Sequence, residues 1–195
     1  MSESPRHLTV VAGPNGSGKT TFAEAYVAER AGGVYLSADA IAAELSPADP
    51  TRARVAAGRE FLRRVDRAIG TIDELILEST LSGRTFRRVV QKARDAKYDV
   101  SIVYLYLDSA NKCVDRVNER VLKGGHDVPA PDIRRRYFRS MWNFWNLYRP
   151  MTDDWFLYYN AHEQPLDVAL GDSTEVSIRD EAIFSRFIER ISEVP

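Results

Sequence analysis

The residues Gly13-Pro14-Asn15-Gly16-Ser17-Gly18-Lys19-Thr20 follow the pattern Gly-x-x-x-x-Gly-Lys-Ser/Thr, directly after the apolar run Leu8 to Ala12 and directly before a helical pattern. Strand, glycine-rich turn and helix in that order commit the chain to an α/β arrangement with the turn at a helix N-terminus. Phosphate oxygens need several N–H donors at close range, and such a turn supplies them if side chains stay out of the way. Gly13, Gly16 and Gly18 clear that space. The amides from Asn15 to Thr20 then turn toward a β-phosphate, with the positive end of the helix dipole behind them. Lys19 reaches β and γ oxygens, and the Thr20 hydroxyl is placed to hold Mg²⁺. ATP and Mg²⁺ are the expected ligands.

A chain of 195 residues that is 44% hydrophobic supports one sizeable core, so a single domain over 1–195 is expected. The formal net charge of −1 offers no global attraction to nucleic acid or an anionic membrane, and neither is an expected partner. Cys113 is the only cysteine, which rules out an intrachain disulfide and fits a reducing setting. The polar start, Met1 to Arg6, has no apolar signal core, and no run approaches the ~18 apolar residues of a membrane span. The expectation is a cytoplasmic protein.

Strand-like runs at Leu8 to Ala12, Val34 to Leu36, Glu74 to Glu78, Val100 to Leu107 and Trp155 to Tyr159 alternate with helical patterns near 19–30, 52–69, 84–96, 110–122 and 132–148. Alternation of this kind predicts a parallel sheet with crossover helices. Short strands at Leu166 to Leu170 and Glu175 to Ile178 predict a terminal hairpin, and Asp180 to Ile191 a last helix closing over an edge of the sheet. The fold class read from this order is an α/β three-layer sandwich of the P-loop, nucleotide-kinase type. Its sheet has five mainly parallel strands, with an arginine-bearing lid at about 123–140 and a C-terminal hairpin plus helix. The aromatic series Tyr137, Met141, Phe144, Trp145 and Tyr148 has helical spacing and is read as core.

Ligand crevices of α/β sheets lie beyond the carboxyl ends of the strands, so polar residues there carry weight. Asp39 follows the second strand in Ser37-Ala38-Asp39. It is a helix cap or, since Ser37 caps equally well, a base that orients an alcohol and accepts its proton. Glu78 ends the third strand and is a strand-end charge, a Mg²⁺-associated carboxylate or a grip on an acceptor hydroxyl; Ser79 and Thr80 are secondary candidates. The segment Arg116 to Arg139 reads as two basic helices around Gly124-Gly125 and Pro129-Ala130-Pro131. Arg120 and Arg134, at opposite ends of that excursion, are placed to meet on a transferring phosphoryl group, with Arg116, Arg135 and Arg139 competing for the same role. His126 lies inside the lid as a substrate contact or a turn residue. Asn160, after the fifth strand, approaches the nucleotide base in this reading.

Together, Gly13 to Thr21 (GPNGSGKTT), Ser37-Ala38-Asp39, EST-LSGR from Glu78 and RVNERVLKGGHDVP…IRRRYFRS from Arg116 resemble the zeta toxin family of P-loop kinases, over about Leu8 to Asn160. The expected nucleotide-binding set is Gly13, Pro14, Asn15, Gly16, Ser17, Gly18, Lys19, Thr20 and Thr21, with Mg²⁺ at Thr20, and the resemblance implies phosphate and Mg²⁺ binding by Lys19 and Thr20. It implies that Asp39 is the base, that Glu78 contacts the acceptor and that Arg120 with Arg134 stabilises the transition state. Together with the reading of the residues, the expected catalytic set is Lys19, Asp39, Arg120 and Arg134 and the expected substrate contacts are Asp39, Glu78, Thr80 and His126. Characterised members of that family use ATP to phosphorylate a sugar hydroxyl of UDP-N-acetylglucosamine, and some are neutralised by a small helical antitoxin. The residues alone also admit a kinase for another small alcohol, such as an antibiotic, or a nucleotide-dependent regulatory NTPase or nucleic-acid processing factor.

Overall fold

Every residue of the run Leu8 to Ala12 is buried, with Leu8, Val10 and Ala12 in one core and Val11 in another. The strand β1 (Arg6–Ala12) is therefore covered on both faces, as a central parallel strand must be. The computed structural model describes residues 5–30, 32–125 and 127–192. In it β1 pairs in parallel with β3 (Glu74–Ser79) and with β4 (Tyr98–Tyr106). Outside these, β2 (Val34–Leu36) joins β3 and β5 (Asp154–Tyr159) joins β4, again in parallel. The hairpin strands β6 (Leu166–Gly171) and β7 (Val176–Ile178) add antiparallel to the β5 edge. The sheet order is β2-β3-β1-β4-β5-β6-β7. The five parallel strands are those expected, and the hairpin extends the same sheet to seven.

The two faces are clothed unequally. The helix α1 (Lys19–Ala28) packs Phe22, Ala23, Tyr26 and Val27 against Val11, Ile76, Val103 and Leu105. The larger core lies on the opposite face. It takes residues from α2 (Ala38–Leu45), α3 (Arg54–Ala68), α4 (Arg87–Asp95), α5 (Ala110–Leu122), α6 (Ala130–Asn143) and α7 (Glu181–Ser192).

The helical pattern expected to run unbroken to 148 leaves α geometry after Asn143, continuing as a π turn, Phe144–Tyr148, and a 3₁₀ turn, Arg149–Met151. The aromatic series packs as core: Tyr137, Met141, Phe144 and Tyr148 are buried, and the Phe144 ring stacks on Tyr104 at 4.2 Å. The last helix departs from expectation. It lies on the face of the sheet beside α6 and not over an edge, because Phe187 finds the rings of Tyr104 and Tyr106 on β4 and of Phe144. Burying a side chain of that size is worth ~1.5–3 kcal/mol, which the exposed edge strand β7 cannot offer.

Candidate active site

The turn between β1 and α1 is shaped by glycines in left-handed backbone. A Cβ on Gly13 (φ 145°) would lie 2.1 Å from the Leu105 carbonyl oxygen, and one on Gly16 (φ 79°) 2.5 Å from that of Cys113. The turn is thus pressed onto the end of β4 and onto α5. Gly18 caps α1 without a side-chain hydrogen bond, so the first amides of the helix are left for another acceptor. Asn15 Oδ1 and Ser17 Oγ are buried with no hydrogen-bond partner among the described residues. Lys19 curls over the loop and donates from Nζ to the Pro14 carbonyl at 2.9 Å; its burial lowers its pKa, against the pull of Glu78 and Asp39. A loop that presents amides, unmatched polar atoms and a buried ammonium group fits the phosphates of a nucleotide. Asn160 lies against this loop, its Nδ2 donating to the Ser17 carbonyl at 2.8 Å.

On the neighbouring strand, Glu78 points at the start of α1. The hydroxyls of Thr20 and Tyr35 both donate to Glu78 Oε2, at 3.0 and 2.6 Å, and Lys19 Nζ lies 4.0 Å from Oε1. Burial, and then the charge of Glu78, push the Tyr35 hydroxyl pKa upward, so Tyr35 remains a donor. Sequence reasoning missed Tyr35, because a tyrosine in a three-residue strand carries no signal of what its hydroxyl will meet. Asp39 sits in the first turn of α2, where the cap is Ser37, whose Oγ accepts from the Ala40 amide at 3.4 Å. The Asp39 carboxylate makes no hydrogen bond or ion pair among the described residues and lines the cavity.

That cavity holds about 750 Å³ and runs from Asn15, Gly16, Gly18, Lys19, Thr20 and Thr21 past Asp39, Glu78 and Thr80 to Phe61, Leu62 and Phe86. Six lysine and arginine side chains line it against three carboxylates. The loop after β3 forms one wall, with Leu81 at φ 49°. Asn143 and Tyr148 pin it by donating to the carbonyls of Leu81 (2.8 Å) and Gly83 (2.6 Å), while Ser140 donates to that of Thr80.

The arginines divide. Arg120 lines the cavity near enough for its charge to act on Lys19, and Arg116 and Lys123 also line it. Arg134 does not reach it: its guanidinium is held by Asn111 Oδ1 at 3.2 Å. Arg136 lines the cavity in its place, since residues two apart on a helix point about 200° apart and the face bearing Ile133 and Tyr137 is committed to the core. Arg135 is paired with Asp132 at 2.7 Å. Of the segment expected as a lid, residues 130–140 belong to α6, anchored where Tyr137 donates to the Leu107 carbonyl at 2.7 Å. Gly124-Gly125 forms a helix C-cap: the Gly124 amide donates to Val121 and that of Gly125 to Arg120, both at 2.9 Å, with Gly124 at φ 83°. His126 lies outside the described residues. No helix among the described residues is long and apolar enough to cross a membrane.

A family described as AAA domain, AAA_33, matches residues 8–141. An uncharacterized protein of Haemophilus influenzae is 29% identical over 125 residues, 64% of this chain and 88% of that protein. Among solved structures, the AvrRxo1-ORF1:-ORF2 complex with ATP is similar at a TM-score of 0.77 and 14% identity, over 99% of this chain. The chain spans 66% of the length of that neighbour. A chain of the PezAT toxin-antitoxin system of Streptococcus pneumoniae gives 0.61 at 15% identity, over 99% of this chain and 88% of that one. A gluconokinase from Sinorhizobium meliloti gives 0.51 at 14%, over 96% and 92%. At these identities the likeness establishes the fold, which is that of the P-loop kinases.

Proposed function

The chain belongs to the AAA domain family AAA_33, and from that premise we propose that it is an ATP- and Mg²⁺-dependent phosphotransferase acting on a hydroxyl of a small molecule. The observation that carries this reading is the placement of a spare carboxylate, Asp39, in the same cavity as the phosphate loop, Lys19 and Arg120. A regulatory NTPase would turn such a carboxylate on water instead, so what receives the phosphoryl group decides between the two readings.

In the proposed reaction the acceptor oxygen attacks the γ-phosphorus, the bond to the β-phosphate oxygen breaks, and the hydroxyl proton passes to the Asp39 carboxylate. The loop amides from Asn15 to Thr20 hold the donor phosphates and Lys19 offsets their charge. Arg120 offers a planar fork, permanently charged, to the transferring group. The Thr20 hydroxyl and the Glu78 carboxylate, 3.0 Å apart, are hard oxygen donors of the kind Mg²⁺ takes, and the bound ion would neutralise charge on the β- and γ-oxygens. Glu78 thereby belongs to the metal side of the site, with Tyr35 fixing its carboxylate. Thr80 and the rest of the loop after β3 face the acceptor.

UDP-N-acetylglucosamine is the first acceptor to test, on the strength of the motifs shared with zeta toxins and the fold shared with the PezAT chain. A small antitoxin-like protein is the corresponding partner. The deciding experiment incubates the protein with ATP, Mg²⁺ and a metabolite extract containing that nucleotide sugar, and searches by mass spectrometry for a species that gains a phosphoryl group. Asp39→Asn should keep ATP affinity and abolish the new species. Transfer by Asp39→Asn at the parental rate would sink the assignment, and ATP turnover without any phosphorylated product would favour the NTPase.

A further inference from the structure

Asp39 stands between two groups of cations. The charges acting on Lys19 are Glu78, Asp39, Arg120 and the Cys113 thiol; those acting on Arg136 are Arg54, Asp132, Arg135 and, again, Asp39. The first group belongs to the donor phosphates. The second belongs to nothing yet described, although Arg54 at the start of α3 and Arg136 on α6 both line the cavity.

Their neighbours in sequence are matched. Arg52 pairs with Asp49 at 3.0 Å, Arg135 with Asp132 at 2.7 Å, and Arg134 with Asn111. Arg54 and Arg136 make no hydrogen bond or ion pair among the described residues, and both line the cavity half-buried, near enough for the charge of one to act on the other. Burial, and then Arg54, lower the pKa of Arg136 against the pull of Asp132 and Asp39. Two half-buried guanidinium groups without partners, lining one cavity, suit an oxyanion. Phe61, Leu62 and Phe86 supply apolar wall in the same cavity, suited to the carbon frame of a small molecule.

We propose that the acceptor is itself a phosphate-bearing alcohol, its phosphate seated between Arg54 and Arg136 and its hydroxyl presented to Asp39. The inference rests on the kinase reading and narrows it. A carboxylate is satisfied by one arginine fork, whereas the terminal oxygens of a phosphate can engage two, so phosphate is the better match. Neutral acceptors, including uncharged sugars, would leave both arginines unpaired and bind poorly.

The test is a binding measurement that needs no turnover. Protein saturated with Mg²⁺ and a non-hydrolysable ATP analogue, which fills the γ-phosphate position, is titrated with glycerol 3-phosphate, glycerate and glycerol by calorimetry. Glycerol 3-phosphate should bind, glycerate should bind more weakly and glycerol not at all. Arg54→Gln and Arg136→Gln should each weaken glycerol 3-phosphate by about 10-fold or more, with the analogue's affinity unchanged as evidence of an intact fold. No binding of glycerol 3-phosphate, binding indifferent to both substitutions, or glycerol binding as well as its phosphate ester would each overturn the inference. The kinase reading is judged separately by Asp39→Asn, so a neutral alcohol phosphorylated in an Asp39-dependent manner would refute this proposal and leave that one standing.

Discussion

The two ends of the cavity are built on different plans. The donor end is nine consecutive residues, Gly13 to Thr21, whose shape resides in the backbone. Its glycines are wedged against Leu105 and Cys113, and Asn160 holds it by donating to the Ser17 carbonyl. The end proposed for the acceptor gathers Asp39 from α2, Arg54 and Phe61 from α3, Thr80 and Leu81 from the loop after β3, and Arg136 from α6. There the shape resides in side chains. Backbone geometry is costly to alter and side chains are not, so a fold organised this way retains its donor and is free to change its acceptor. The difference also predicts where substitutions act, through fold and nucleotide affinity at one end and through acceptor choice at the other.

The largest effect should come from the arginines. Replacing Arg120 by Gln should lower transfer by about 10³-fold or more, the range over which a single phosphoryl-directed arginine acts. Arg134→Gln should change it by less than a surface ion pair's worth, ~1 kcal/mol, because its guanidinium is engaged by Asn111 outside the cavity. Single-turnover rates at saturating ATP measure both. Equal losses would mean that the segment from Lys123 to Pro129 rearranges enough to bring Arg134 in, and the static division of the arginines would fall.

That pair also marks the limit of what the chain disclosed before its structure. The donor end was legible because a strand, a glycine pattern and a helix are local in sequence and each glycine has a backbone reason. The spare carboxylate at Asp39 was legible by elimination, since Ser37 was present to cap, and Ser37 is the cap in the structure. The run Arg134-Arg135-Arg136 announces a basic face without its orientation, and only the packing of Ile133 and Tyr137 decides which guanidinium enters the cavity. Gly124-Gly125, expected as a break at the start of a lid, is the C-cap of α5. Tyr35 and Arg54 could not be picked out, as their roles depend on partners 43 and 82 positions away.

At the donor end, Gly13→Ala should cost ~1–3 kcal/mol of stability and most of the ATP affinity, since its Cβ would meet a backbone carbonyl at 2.1 Å and no side chain can yield. Leu62→Ala, in the acceptor wall and already 44% exposed, should leave both intact and alter only the KM for acceptor. Thermal denaturation with and without ATP separates the two. A Leu62→Ala protein as unstable as Gly13→Ala would erase the contrast between backbone-built and side-chain-built ends.

The smallest effect probes whether the floor of the donor end is dry. Cys113 lies beneath Gly16, and burial pushes its thiol pKa up from 9.0 to about 12 despite the nearby Lys19 and Arg116. An acid whose pKa is raised in the folded state ionises first in the unfolded chain, so folding stability is undiminished below pH 9 and declines as pH climbs toward 12. Between pH 8 and pH 9.5 the loss is about 0.8 kcal/mol for a thiol that ionises near 9 only when unfolded. Urea denaturation at the two pH values measures it, and Cys113→Ala should lack this increment while keeping any contribution shared with other groups. Identical pH dependence in the parent and the variant would mean that water reaches the thiol in the folded state. The phosphate loop would then be no more tightly closed on α5 than the acceptor wall is on itself, and the rigidity assigned to the donor end would have to come from bound nucleotide instead of from the apo chain.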